Sequence, residues 1–176
     1  MAAAEILLRE RDDVEFRLVG PPAPGADAGW AGALIARAQA AGIRWHVTAC
    51  PLNELSDWDV FVLSTRRDPF PLVVLEAMAS GLPAVLTAVD GVPEQASEDC
   101  AMLVEPGDAG AIADAIRRLL DNPGRRAAMG AAAAARVAEH FTPARHAREL
   151  GKAYRVALHA CARLRRRPHV RYHRRP

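Results

Sequence analysis

Ser64-Thr-Arg-Arg-Asp68-Pro-Phe-Pro71-Leu-Val-Val-Leu-Glu76-Ala-Met-Ala-Ser-Gly81-Leu-Pro83-Ala-Val-Leu-Thr87 is the stretch on which the reading of this chain turns. The apolar run Val60-Phe-Val-Leu63 before it predicts a buried strand. The chain then turns at Asp68-Pro69, enters a helix at about Pro71 and stops at Ser80-Gly81. Pro83 to Thr87 predicts the next strand. Two carboxylates, Asp68 and Glu76, stand at the ends of an otherwise apolar segment. An acid at the mouth of a strand–loop–helix unit, with a second acid on the helix, is more than packing alone asks for.

The same alternation continues outward. Towards the N-terminus the pattern predicts a helix over 2–11, a strand over Val14–Val19, a loop over Gly20–Gly25 and a helix over Trp30–Ala41 closed by Gly42. A short strand over Ile43–Val47 and a helical turn over Pro51–Asp57 follow. Towards the C-terminus come the loop Asp90–Glu94, a helical turn near Pro93–Ser97 and a strand over Ala101–Val104. The strands are short continuous apolar runs, which is the pattern of a parallel sheet with helices on both faces. Right-handed crossovers place the strand-to-helix loops at one sheet edge, where ligands of open α/β sheets bind. The loops at Gly20, Ser64–Pro71 and Asp90–Pro93 are the ones expected there.

After Glu105-Pro-Gly the pattern becomes helical throughout. Asp108 is placed to cap a helix ending at Leu120, with Ile112, Ile116, Leu119 and Leu120 on one stripe. A second helix is expected over about 125–139, with Met129 in the core, and a third from the Thr142-Pro143 cap to roughly Leu164. Residues 165–176 lack periodicity and read as a basic, disordered tail behind a single domain of residues 1–164.

Composition narrows the function classes. Of 23 Lys and Arg, seven lie from Arg163 onward with no acid among them, leaving 16 against 21 acids in residues 1–162. The body is therefore mildly acidic and the basic character belongs to the tail. That tail has one aromatic, Tyr172, so nucleic acid is not expected as a partner, and peripheral contact with anionic lipid headgroups is the alternative. Cys50, Cys100 and Cys161 are odd in number and far apart, and no Cys/His grouping has metal spacing. Free thiols, the absence of a membrane-length apolar run and no signal-peptide pattern lead to a cytoplasmic expectation. His46 and Met78 read as packed residues, and Ser64, Thr65, Arg66 and Arg67 as solvated loop residues that could also meet a ligand.

At Asp68-Pro-Phe-Pro-Leu-Val-Val-Leu-Glu76-Ala-Met-Ala-Ser-Gly-Leu-Pro83 the sequence resembles the donor-binding, C-terminal half of retaining GT-B glycosyltransferases of the large family 4-like group. Asp59-Val-Phe-Val-Leu-Ser64, Gly91-Val-Pro-Glu94 and Leu103-Val-Glu-Pro-Gly-Asp108 extend the resemblance, which covers roughly Ala2 to Tyr154. It implies a Rossmann-like sheet and transfer of a glycosyl group from a nucleotide diphosphate sugar to an acceptor hydroxyl, with retention. It makes Asp68 the catalytic candidate, contacting donor-sugar hydroxyls, and Glu76 the holder of the ribose. Carboxylates suit both tasks because hydrogen bonds to ionised acceptors are the stronger ones. Phe70, Pro71, Leu72 and Val73 would frame the diphosphate at a helix N-terminus. Gly91 and Val92 would add backbone donors, and Glu94 a further contact. No metal or other cofactor is implied.

The chain also departs from that pattern. The acceptor-binding half is not in it, so a separate acceptor-binding domain or chain is implied as a partner. The strand before the first helix, and the loop that brings an Arg and a Lys to the diphosphate, are likewise expected to be missing, which would expose neighbouring strand edges. Asp68 is one methylene shorter than the usual Glu, and Asp90 stands where the first Gly of a pair is usual. A nucleotide-sugar-binding or partner-docking fragment without activity of its own is therefore the rival reading.

Overall fold

A computed structural model describes residues 1–20, 28–46, 55 and 57–165. Helix α1 (Ala2–Glu10) opens the chain with alanines and Leu7 inward, Glu5 in its first turn and Arg9 in its last, the charge order that a helix dipole favours. Strand β1 (Arg17–Val19), helix α2 (Ala28–Ala40) and strand β2 (Arg44–His46) follow. Then come β3 (Phe61–Leu63), α3 (Leu72–Ala79), β4 (Ala84–Thr87), the single turn α4 (Val92–Gln95) and β5 (Ala101–Val104). The chain closes with α5 (Ala109–Leu120), α6 (Pro123–His140) and α7 (Pro143–Arg165).

Local chemistry sets the helix starts. Asp108 caps α5 by accepting from the Ala111 N–H at 2.8 Å, as its position predicts. Asn122 accepts from the Arg125 N–H at 2.9 Å, so α6 begins at Pro123, two residues earlier than the alanine run suggests. Thr142 caps α7 through the Arg145 N–H at 3.2 Å. The helical turn expected over Pro51–Asp57 and the loop after Gly20 fall largely outside the described residues, as do Cys50 and the tail from 166.

The strands are parallel as expected, but they do not form one sheet. β1 pairs with β2, and β3–β4–β5 form a separate sheet with β4 in the middle. The sheet breaks because no strand stands between β1 and β3 among the described residues.

Around the three-stranded sheet, side chains alternate between two cores. Phe61, Ala84, Leu86 and Ala101 face Val74, Ala77 and Met78 of α3, Val92 of α4 and Ala133 of α6. Val85, with Val62, Met102 and Val104, faces Ala3 and Leu7 of α1 and Ile112, Ile116 and Leu119 of α5. A third, smaller core joins Ala4 of α1, Ala38 of α2 and Ile43 with Phe16, Leu18 and Trp45. Gly130 is required where α6 crosses the turn after α3, because a Cβ there would stand 2.0 Å from the Gly81 carbonyl oxygen.

The chain divides into two compact units, Met1–Ala138 and Glu139–Pro176. The first unit holds both sheets. The second is built on α7, a basic helix that leaves Leu150, Tyr154, Val156 and Leu158 exposed. No described helix is long and apolar enough to cross a membrane.

Candidate functional site: a pinned loop at the start of α3

Residues 64–71 form the loop between β3 and α3, and a second loop, after β4, is locked onto it. Asp68 donates its backbone N–H to the Asp90 carboxylate at 2.9 Å. The Asp68 carboxylate in turn accepts from the Phe70 N–H at 3.2 Å, closing a tight Asx-type turn. Gly91 sits so close beneath this turn that a Cβ would fall 2.0 Å from the Pro69 carbonyl oxygen. Asp90 adopts φ +43°, the left-handed region that Asp tolerates better than most residues. The Asp90 carboxylate thus works as an acceptor that ties two loops together.

Buried polar groups fix the ends of these loops. Thr87, fully buried at the end of β4, donates its hydroxyl to the Thr65 carbonyl at 2.6 Å. Gln95, fully buried in α4, donates its side-chain amide to the Pro71 carbonyl at 2.9 Å. Arg136 of α6 donates to the Gln95 carbonyl at 2.7 Å and to the Glu94 carbonyl at 3.0 Å. The loop, the N-cap of α3 and α4 are therefore held as one frame, with Arg66 and Arg67 exposed at the loop tip.

Pro71 is the N-cap of α3, with φ −65° and ψ 114° and no side-chain cap. The first amide of the helix to find a backbone partner is that of Val74, which donates to the Pro71 carbonyl at 3.2 Å. The N–H groups of Leu72 and Val73 come before it and point out of the helix start, as the first amides of any helix do. Glu76 lies three and four residues further on, on the same helical face as Val73 and Leu72. Val74, Ala77 and Met78 occupy the opposite, fully buried face. The result is a surface with two free amide donors at a dipole's positive end and a carboxylate one turn away. Leu72 and Phe70 are the exposed apolar groups beside it.

The other expected site residues sort as follows. The Gly91 backbone is at the loop contact, beside Asp68 and Phe70. Val92 does not offer a backbone donor: its N–H donates to the Val89 carbonyl at 3.0 Å and its side chain is fully buried. Glu94 is exposed, and its backbone N–H is bonded to the Gly91 carbonyl at 3.1 Å. Ser64 and Arg66 face a cavity on the α1–α5 side of the sheet. Gln95, Thr87 and Arg136 were not singled out by their sequence. Gln95 could have been, since it follows Val92 by three residues and so shares its buried face, where a polar side chain needs a partner. No group of three or more His, Cys, Asp or Glu suited to a metal occurs among the described residues.

This geometry stands on a recognised sequence family. The profile of the family Glycosyl transferases group 1 matches residues 1–122. The chain belongs to that family. A D-inositol 3-phosphate glycosyltransferase of Streptomyces scabiei is 32% identical over 180 residues, covering 96% of this chain and 40% of that protein. The C-terminal domain of a group 1 glycosyl transferase, LpcC of Francisella tularensis, matches with a TM-score of 0.71 at 23% identity, covering 81% of this chain and 77% of that one. Anabaena Alr3699/HepE, solved in complex with UDP-glucose, matches with a TM-score of 0.79 at 17% identity over 88% of this chain and 44% of that one. The fold is thus the α/β, Rossmann-like C-terminal half of a GT-B glycosyltransferase. The chain spans less than half the length of the Streptomyces relative.

Proposed function

We propose that this chain is the donor-binding half of a retaining glycosyltransferase and grips a nucleotide diphosphate sugar across the start of α3. The observation that carries this reading is the alignment of the Leu72 and Val73 amides with Glu76 on one helical face, framed by the Asp68–Asp90 lock. The amides meet the diphosphate, where the helix dipole and the unpaired donors favour negative charge. Glu76 accepts hydrogen bonds from ribose hydroxyls. Asp68 has one carboxylate oxygen engaged by the Phe70 N–H and turns the other to hydroxyls of the donor sugar. In transfer, the amides stabilise charge growing on the leaving diphosphate, which is the electrostatic part of the catalysis. The acceptor hydroxyl is aligned by a facing domain or chain. The UDP-glucose held by the Anabaena protein supports a nucleotide sugar as the donor.

Calorimetric titration of the chain with UDP-glucose and GDP-mannose tests the grip. Glu76→Ala is expected to weaken the better donor by about tenfold or more, the scale of a charged hydrogen bond. Leu72→Pro removes one amide donor at the first helical position, where proline fits the helix, and is expected to weaken binding to a similar degree. EDTA is expected to leave binding unchanged. Donor affinity that is indifferent to both substitutions sinks the proposal.

A second reading, a donor-binding fragment without transfer of its own, draws on the chain's spanning only 40% of its Streptomyces relative. Donor hydrolysis or transfer by the purified chain alone would exclude it, whereas transfer only after an acceptor-binding partner is added separates binding from catalysis.

A further inference from the structure

Three cross-links hold the 64–71 loop to the chain that follows it after β4, and they fall at every third residue of the loop. The Thr87 hydroxyl donates to the Thr65 carbonyl at 2.6 Å, the Asp68 N–H donates to the Asp90 carboxylate at 2.9 Å, and the Gln95 side-chain amide donates to the Pro71 carbonyl at 2.9 Å. Thr87 and Gln95 are fully buried, so their bonds also satisfy polar groups that would otherwise be stranded in the core. Asp90 is exposed, and water would satisfy its carboxylate without the loop. Stability alone does not call for the middle link.

Asp90 also makes that link from a strained backbone. Its φ of +43° is the one positive φ outside glycine among the described residues. A residue with a Cβ resists the left-handed region, and such strain persists where the surrounding structure enforces it, often at functional sites. Glycine would take the same conformation without that strain. Gly91, the next residue, leaves no room for a Cβ against the Pro69 carbonyl, so the backbone at 90–91 is pressed onto the loop.

The strained link meets the candidate site at its acid. The bond from the Asp68 N–H to Asp90 fixes the backbone from which the Asp68 carboxylate projects. The Phe70 N–H, donating to that carboxylate at 3.2 Å, fixes one of its oxygens. With the main chain and one oxygen held, the other oxygen has little freedom left.

We infer that Asp90 is a positioning residue for donor binding, a strained acid kept for the orientation it gives Asp68 rather than for stability. The inference rests on the donor reading of the α3 site. Asp90 touches no reacting atom in this role. It acts through the Asp68 backbone and orders the loop before the donor arrives, so that binding does not have to supply that ordering.

The test compares three variants of the whole chain by calorimetric titration with UDP-glucose and GDP-mannose, by thermal melting, and by NMR exchange of the Asp68 amide proton. Asp90→Gly removes the acceptor and relieves the backbone. Donor affinity is expected to fall about tenfold and the Asp68 amide to exchange faster, while the midpoint stays within about 2 °C of the unaltered chain. Asp90→Ala removes the acceptor but keeps the strain, so affinity falls as far and the midpoint drops by about 3 °C or more. Asp90→Asn keeps an acceptor oxygen and tolerates the left-handed region, so affinity returns to within about threefold of the unaltered chain. Affinity thus ranks Asn above Gly and Ala, whereas stability ranks Gly and Asn above Ala. Full donor affinity in Asp90→Gly, with binding still lost in Glu76→Ala, would overturn the inference and leave the donor reading standing. A midpoint of Asp90→Gly that collapses along with its affinity, or an Asp90→Asn variant as weak as Asp90→Ala, would overturn it as well. No donor binding by the unaltered chain would overturn both.

Discussion

The two sheets differ in sequence and in burial: β1 and β2 each begin with an arginine, whereas β3, β4 and β5 carry no charged residue. Every residue of β4 is buried, because β3 and β5 flank it and helices cover both faces. β1 has one exposed residue, the charged Arg17, and two half-buried ones, Leu18 and Val19. The number of neighbours adds to the difference in sequence: β1 pairs on one edge among the described residues and β4 on both. A strand is buried by what pairs with its edges as well as by what covers its faces. The candidate site lies wholly on the well-flanked sheet, with its loops pinned to β4 and α4.

The largest expected effect measures that contrast directly. Leu86→Ala on β4 deletes a fully buried side chain and should cost about 2–5 kcal/mol. Leu18→Ala on β1 removes a half-buried one and should cost about 1 kcal/mol, since less surface is withdrawn from water. Chemical denaturation of the two variants decides it; equal losses would mean that β1 is as well supported as β4.

Next in size is the site itself. Gly91→Ala places a methyl group 2.0 Å from the Pro69 carbonyl oxygen and must push the two loops apart. Donor affinity is expected to fall by tenfold or more while the midpoint drops by only a few degrees. If the midpoint collapses in step with affinity, the loops are part of the core rather than a frame standing on it.

The smallest effect concerns the two-stranded side. Arg37 on α2 holds the Glu5 carboxyl on α1 below its ordinary 4.5, and Arg17 does the same for Glu15. A carboxyl with a depressed folded pKa contributes stability above its unfolded value and loses it as the pH falls through the folded one. Both pairs are exposed, so the effect is modest. Below about pH 4.5, amide exchange at 17–19 and 44–46 is expected to quicken before that at 84–87. Uniform quickening across both sheets would remove the distinction.

Much of this protein was legible along the chain. Apolar runs alternating with 3.6-residue periods settled the order of strands and helices, and Asp108 and Thr142 marked helix starts by their own side chains. The acid-bearing stretch from Asp68 to Pro83 identified the family, because local loop and helix chemistry is written in adjacent residues. Three things were decided only in three dimensions. Asp90, 22 residues from Asp68, became its hydrogen-bond partner. Gln95 and Arg136 met at the base of the site from separate helices. The pairing of β1 with β2, and of β4 with both β3 and β5, was the third, because a neighbouring strand is a long-range fact. Backbone groups on a strand edge carry no mark in the sequence of which strand, if any, will pair with them.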